Sequence, residues 1–237
     1  MSSVLRILIT AGPTREYLDS VRYISNDSSG KMGFALARAA AARGHRVTVV
    51  HGPVALDPPA GVRCVGVVSA DQMLRACRRA WPRHDVLIMA AAVADYAPAK
   101  LSKHKLKKRD TQMVLALRPT VDVLATLSKR RHAGQIVIGF ALEDRAPRRH
   151  AAEKLDRKRL DAIILNSPRA IGADGATQHV LVRGERWRRL SRGDKFASAV
   201  RIIALVGRLA DEATRRQSAS KNRDAPASGN RSAADPS

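Results

Sequence analysis

Residues 4–43 read VLRILITAGPTREYLDSVRYISNDSSGKMGFALARAAAAR, and their order decides the fold class. Val4 to Ala11 is a short apolar run with β-branched residues, which fits a strand buried on both faces of a parallel sheet. A long polar loop follows, Gly12 to Gly30. A helical pattern comes next, Met32 to Arg43, with Met32, Leu36, Ala39 and Ala40 on one face and Gly44 as its stop. Strand, polar loop and helix in that order make the unit of a doubly wound sheet that receives phosphates at the helix N-terminus.

The same alternation continues outward. Strands are expected at Arg46–His51, Val62–Val67, Val86–Ala91, Met113–Arg118, Ile136–Leu142 and Ala162–Asn166. Helices are expected at Ala70–Arg79, with Ser69 and Asp71 as capping candidates, and at Val121–Arg131, Arg148–Arg159 and Asp194–Thr214. Gln178–Val182 and Arg186–Leu190 flank Arg183-Gly184-Glu185 as a hairpin. Ala92 to Gln112 carries lysines and no core pattern, and reads as a loop or arm. The expectation is an α/β domain over residues 1–214, with a mostly parallel sheet and helices on both faces. Ligands in such sheets sit beyond the carboxyl ends of the strands. Residues 215–237 lack periodicity and read as a disordered basic tail.

A chain of 237 residues that is 45% hydrophobic is long enough for one large core. Its net charge of +22 favours anionic partners. Much of that excess, as at Arg75, Arg78 and Arg79, reads as solvated helix surface. Aromatics are only 3%, so stacking platforms for single-stranded nucleic acid are scarce. Cys64 and Cys77 have no paired-ligand spacing and read as buried thiols of a reducing compartment. No apolar run approaches the roughly 18 residues of a membrane span, and the N-terminus has no signal-peptide pattern. A cytoplasmic protein without membrane contact is the expectation. The histidines, His51, His104 and His179 among them, show no metal spacing, and no catalytic triad is visible.

Three elements carry chemistry. In the first loop Thr14, Arg15, Arg22, Ser25, Asn26, Ser28, Ser29 and Lys31 concentrate donors before a helix, although the loop is neither G-x-G-x-x-G nor a Walker A motif. The second is Ala90–Tyr96 (AAAVADY) followed by Lys105–Lys108 (KLKK). Small residues at a strand end let a flat group approach, and Asp95 can accept from a ribose or base. The lysines read either as a solvated charge run or as a loop that closes over phosphates. The third is Lys154 and Lys158, four apart on one helix face. Like charges there cost roughly 0.2–0.5 kcal/mol, which an anion between them would relieve. The plain alternative is an exposed face on which Glu153 and Arg157 pair.

The segments ITAGPTRE, VRYISNDSSGKMG, AAAVADY, KLKK, GFALE and EKLDRKRLDAIILN occur in an order and spacing that resembles phosphopantothenoylcysteine synthetase, over roughly Val4 to Val206. That family forms the second enzyme domain of the coenzyme A synthesis protein in most bacteria. The resemblance implies a Rossmann-like fold with a dimerisation arm. It implies a ligase that activates the carboxylate of 4'-phosphopantothenate with CTP, or ATP, and passes the acyl-nucleotidyl intermediate to the amine of cysteine. Asn26, Lys105 and Arg22 would be catalytic by this likeness. Met89, Ala90, Ala91, Asp95, Lys105, Val121, Asp122, Val123, Leu124, Phe140, Lys154 and Lys158 would bind the nucleotide. Ser28, Ser29, Gly30 and Lys31 would form the phosphopantothenate loop. Mg²⁺ would accompany the triphosphate, with no protein metal cluster and no flavin in this chain. A homodimer and a separate phosphopantothenoylcysteine decarboxylase are also implied. The chain departs from the family pattern at Tyr17, Ser20 and Val121, where proline is common, and at Gly172–Gln178, where F-x-x-x-x-N is usual. The rival reading, resting on the net charge, is a catalytically silent relative associated with nucleic acid.

Overall fold

The computed structural model describes residues 3–108, 110–167 and 175–223. Apolar runs too short for helices become a central eight-stranded sheet. Its strands are β1 (Arg6–Ala11), β4 (Arg46–His51), β5 (Arg63–Gly66), β6 (Val86–Met89), β9 (Ile136–Leu142), β10 (Ala162–Asn166), β11 (Gly175–Val182) and β12 (Arg188–Asp194). Their order is β12-β11-β10-β9-β6-β1-β4-β5. All pairings from β10 to β5 are parallel, whereas β11 runs antiparallel to both β10 and β12. The doubly wound, Rossmann-like class expected from the sequence is what the chain adopts.

Helices cover both faces. On one, α1 (Lys31–Ala41) and α5 (Lys195–Arg223) share a core with Ile7, Ile9, Ile138, Ile164 and Val180. On the other, α2 (Ala70–Ala80), α3 (Val123–Ser128) and α4 (Pro147–Arg157) close over Leu8, Leu87, Val137 and Ile163. Alternate residues of one strand thus enter opposite cores, which is why these strands read as continuous apolar runs. After β1 the chain crosses to β4 through α1; after β6 it crosses the other way to β9 through α3. The strand order reverses between β1 and β6, and a crevice opens at such a switch point.

The expected boundaries of β4, β9 and β10 match the observed ones, and Ser69 caps α2 by accepting from Gln72 N at 3.2 Å. Four expectations need correction. The loop 12–30 holds a small ribbon, β2 (Arg15–Tyr17) against β3 (Tyr23–Ser25). The strand expected at Met113–Arg118 is only β8 (Leu117–Pro119), paired with β7 (Tyr96–Pro98) inside the presumed loop. Met113 and Val114 are 59% and 86% exposed, so their alternation had no core to face. The helix expected at Val121–Arg131 is only α3, Val123–Ser128; Asp122 caps its start, its Oδ1 accepting from Ala125 N at 2.9 Å. Finally, α5 runs past Thr214 to Arg223, and Gln217 lies against Gly134. Part of the expected tail is therefore helix, and 224–237 fall outside the described residues, as do Gly172–Asp174. Among the described residues no helix is long and apolar enough to cross a membrane.

Candidate functional site

Gly30 begins α1 in the left-handed region, with φ of 76°, and no side chain caps the helix there. A Cβ at Gly33 would overlap the Cβ of Ala11, so only glycine lets α1 stand this close to β1. The first turn of α1 contains no acidic residue. Lys31 N donates to Ser29 Oγ at 3.5 Å, and the N–H groups that follow it, with the positive end of the dipole, suit an anion. Ser28 and Ser29 sit just ahead of it.

The loop before α1 is stitched to the segment after β6. Ala92 N donates to Gly12 O at 2.9 Å, and Ala94 N donates to the buried Thr14 Oγ1 at 2.9 Å. Asn26 completes the seam: its Nδ2 donates to Ala92 O at 3.2 Å and to Val93 O at 3.0 Å. With its amide nitrogen spent on two backbone carbonyls, the side chain is left with an acceptor oxygen.

A cleft of about 580 Å³ opens over this seam and over the carboxyl ends of β6, β9 and β10. Asn26, Ser28, Ser29, Gly30, Lys31, Met89, Ala90, Ala91, Asp95, Val121, Asp122, Val123, Leu124, Phe140, Lys154 and Lys158 all line it. Lys154 Nζ donates to Phe140 O at 2.8 Å, and Lys158 Nζ pairs with Asp122 Oδ2 at 2.7 Å. Burial, helped by the Lys158 ammonium nearby, lowers the pKa of Lys154. Burial alone would raise the carboxyl of Asp122, but the Lys158 hydrogen bond and the Ala125 N–H hold it below the usual range. The two lysines therefore do not idle on a solvated face. Glu153 is approached at 3.8 Å by Arg149, not by Arg157.

Two expected site residues stand elsewhere. Arg22 and Lys105 are not in the wall of the cleft. Arg22 forks onto Asp19 Oδ2 through Nε at 2.9 Å and a terminal nitrogen at 2.5 Å, and it donates to Leu106 O at 2.7 Å. Leu106 N in turn donates to Asp19 Oδ2 at 3.1 Å. Asp19 is 1% exposed. Burial would raise its pKa, but N–H groups of Val21, Arg22 and Leu106 together with the guanidinium hold it far below the carboxylate range. Arg22 thus anchors the lysine segment at the residue next to Lys105.

The cleft also contains residues the sequence did not single out: Thr120, Ala141, Leu142, Glu143, Asn166, Gln178, Lys195 and Ser198. Parity was the one signal available, since Gln178 shares its strand face with the buried Val180 and Val182. Among the described residues no cluster of three or more His, Cys, Asp or Glu could hold a metal ion.

Residues 3–209 match the family model for the DNA/pantothenate metabolism flavoprotein C-terminal domain. The chain is 48% identical over 169 residues to a cysteine/cysteine sulfinic acid decarboxylase from an unknown prokaryotic organism, covering 71% of this chain and 47% of that protein. It is 45% identical over 168 residues to the coenzyme A biosynthesis bifunctional protein CoaBC of Bacillus subtilis, covering 70% of this chain and 41% of that protein. The chain thus spans less than half the length of these curated relatives. Among solved structures it resembles the C-terminal domain of a coenzyme A biosynthesis bifunctional protein CoaBC, with TM-score 0.78 and 35% identity, covering 90% of this chain and 100% of that one. A likeness that runs through nearly all of the sheet, both helical layers and the loop carrying Asn26 has one plain reading: the chain belongs to the DNA/pantothenate metabolism flavoprotein C-terminal domain family.

Proposed function

We propose that the chain is a cytoplasmic ligase that joins 4'-phosphopantothenate to cysteine at the expense of CTP or ATP. The observation that carries this reading is the cleft itself: an open helix N-terminus, an Asn26 amide fixed on the Ala92 and Val93 carbonyls, and a Lys154–Lys158 pair facing one another across a single space. The curated relatives named for coenzyme A biosynthesis support it.

In the first step a carboxylate oxygen attacks the α-phosphorus, an acyl–phosphate bond forms, and pyrophosphate leaves with its electron pair. In the second the cysteine amine attacks the acyl carbon, and the nucleoside monophosphate departs while the amine loses a proton. Both steps place negative charge on phosphates, so fixed donors and cations supply the catalysis. The N–H groups of α1 with Ser28 and Ser29 receive the phosphates, and Lys31 adds charge at their edge. Met89 to Ala91 offer a flat strand end to the nucleoside, with Asp95 beside it. Val121 to Leu124, Phe140, Lys154 and Lys158 close its other side. Asn26 presents its oxygen to the activated acid. Lys105, held through Leu106 by Arg22 and Asp19, neutralises charge in the activation step when its segment closes. The α1 N–H groups with Ser28, Ser29 and Lys31 would hold a magnesium triphosphate, whose own oxygens would be the main ligands of Mg²⁺, and Mg²⁺ would there neutralise phosphate charge.

The chain acts as a homodimer through the arm around β7 and β8, and takes its place before a decarboxylase of phosphopantothenoylcysteine. The deciding experiment supplies purified protein with magnesium, CTP or ATP, and 4'-phosphopantothenate, then adds cysteine. Pyrophosphate release that requires the acid, followed by amide on addition of cysteine, is the expected result. Absence of both with either nucleotide sinks the proposal.

A further inference from the structure

The far corner of the cleft holds two buried oxygens without donors. Gln178, in β11, is 2% exposed, and its Oε1 has no hydrogen-bond partner among the described residues. Asn166, the last residue of β10, has a buried Oδ1 in the same condition. Ala162 and Ile164, and likewise Val180 and Val182, pack into the α1/α5 core, so strand alternation turns Asn166 and Gln178 to that side. The β11–β12 register slips beside Gln178, but the extra residue is Leu190 of β12, so β11 itself keeps its alternation. Lys195 and Ser198, from the first turn of α5, complete the corner. Buried polar atoms are normally paired, so two acceptors without a partner among the described residues, on side chains that line one cleft, call for a ligand that donates.

This corner differs from the one at α1. There the N-cap is a glycine with no side chain to cap the helix, and this suits phosphates, which only accept. Here Asp194 already caps α5, its Oδ1 accepting from Ala197 N at 2.7 Å, and the open groups are neutral acceptors beside a lysine. We propose that Asn166, Gln178, Lys195 and Ser198 form the subsite for the α-amino acid, with the amide oxygens receiving its amine and Lys195 its carboxylate. The assignment rests on the ligase reading. It also suits the chemistry. The amine must reach the acyl carbon with a free lone pair. Amide oxygens orient its N–H groups without favouring an ammonium as a carboxylate would, and the Lys195 charge disfavours a second cation nearby. The C–N bond then forms as the acyl C–O bond breaks. The electron pair leaves on the nucleoside monophosphate, and the surplus amine proton passes to solvent.

The test separates the half-reactions in the wild type, Gln178→Leu, Gln178→Glu and Lys195→Gln. Single-turnover pyrophosphate release without cysteine reports activation and doubles as a check that each variant is folded. Release is expected within about twofold of wild type, while KM for cysteine rises about tenfold or more in Gln178→Leu and Lys195→Gln, the scale of one lost hydrogen bond. Gln178→Glu should move the rising limb of the amide-forming pH profile upward, because a carboxylate stabilises the ammonium. Should Gln178→Leu fail to fold, the partly exposed Lys195 carries the test. Unchanged cysteine KM in folded variants, or a rise confined to KM for nucleotide or phosphopantothenate, overturns the subsite while leaving the ligase reading intact. No pyrophosphate release from the wild type overturns both.

Discussion

Asn26 shows how much rests on one side chain. Its amide nitrogen bridges two carbonyls, at 3.2 and 3.0 Å, that belong to the segment after β6. Asn26→Asp sets a carboxylate against those carbonyls, so the oxygen proposed to face the activated acid moves. Pyrophosphate release is expected to persist while amide formation falls by about 10²-fold, the scale of one misplaced group at a reacting centre; equal loss in both steps would deny this division of labour. Asp19→Asn tests the anchor below. It strips the charge that holds Arg22 and the Leu106 N–H. The segment between Pro98 and Leu117 should become easier to cleave by protease, with activation slower by about tenfold or more. Asn26 and the Ser28–Lys31 run were legible in the sequence because they follow a strand and precede a helix. Asp19 was not, because its partner at Leu106 is 87 residues away and nothing local marks it. Asn166 and Gln178 were hidden for the same reason: their corner is assembled by neighbouring strands, not by spacing.

The elements whose bounds were legible are β4, β9 and β10, each an apolar run buried on both sides and bounded by polar residues. Three-residue strands such as β2, β3 and β7 carry no period, so nothing in the sequence distinguished them from loop. The last helix was cut short in the sequence because its apolar stripe fades after Ala210, although its backbone continues to Arg223. In α3, one residue both caps the helix and holds a cleft lysine. Asp122→Ala should cost about 1–2 kcal/mol of stability through the lost cap and weaken nucleotide binding as Lys158 loses its anchor. Denaturant melts and nucleotide titration read the two effects separately, and loss of stability alone would free Lys158 from its assigned task. After α2, His84 bonds Ala80 O at 2.8 Å through Nδ1 and Thr48 Oγ1 at 3.1 Å through Nε2, a pairing for the neutral ring. Burial lowers the pKa of His84, and also of His45 and His179, below the ordinary 6.5. In the unfolded chain these rings take up protons first. Their stabilisation is therefore complete above pH about 6.5 and declines as pH falls below it. Asp85 and Asp122 lie below 3.8 in the fold, so their share persists until pH falls through the acid range below about 4. Melting temperature should fall in two stages on acidification, and His84→Gln should shrink the upper one; a melting temperature flat from pH 7 to 5 would contradict it.

At the scale of the molecule, charge and apolar surface pull in opposite directions. The chain carries a net charge of +22, yet Leu101, Met113, Val114 and Leu117 stand 66%, 59%, 86% and 46% exposed along one arm. Scattered apolar residues need no explanation, whereas exposed apolar residues close together in one segment suit a contact surface. If two copies meet through it, the contact must overcome repulsion between two strongly basic bodies. Salt screens such repulsion within about 8 Å at physiological ionic strength and leaves apolar burial intact. The dimer should therefore tighten between low and high salt, by sedimentation at fixed protein concentration, and Met113→Ser with Val114→Ser should loosen it at every salt. Binding to duplex DNA, the rival use of the same charge, must move the other way, because each phosphate contact releases counterions and weakens as salt rises. A chain that stays monomeric at all salts but holds DNA at low salt, with Asn26→Asp binding it equally well, would assign the basic surface to nucleic acid. Association that strengthens with salt, alongside pyrophosphate release that needs phosphopantothenate, would make that surface the background against which an apolar arm pairs two ligase sites.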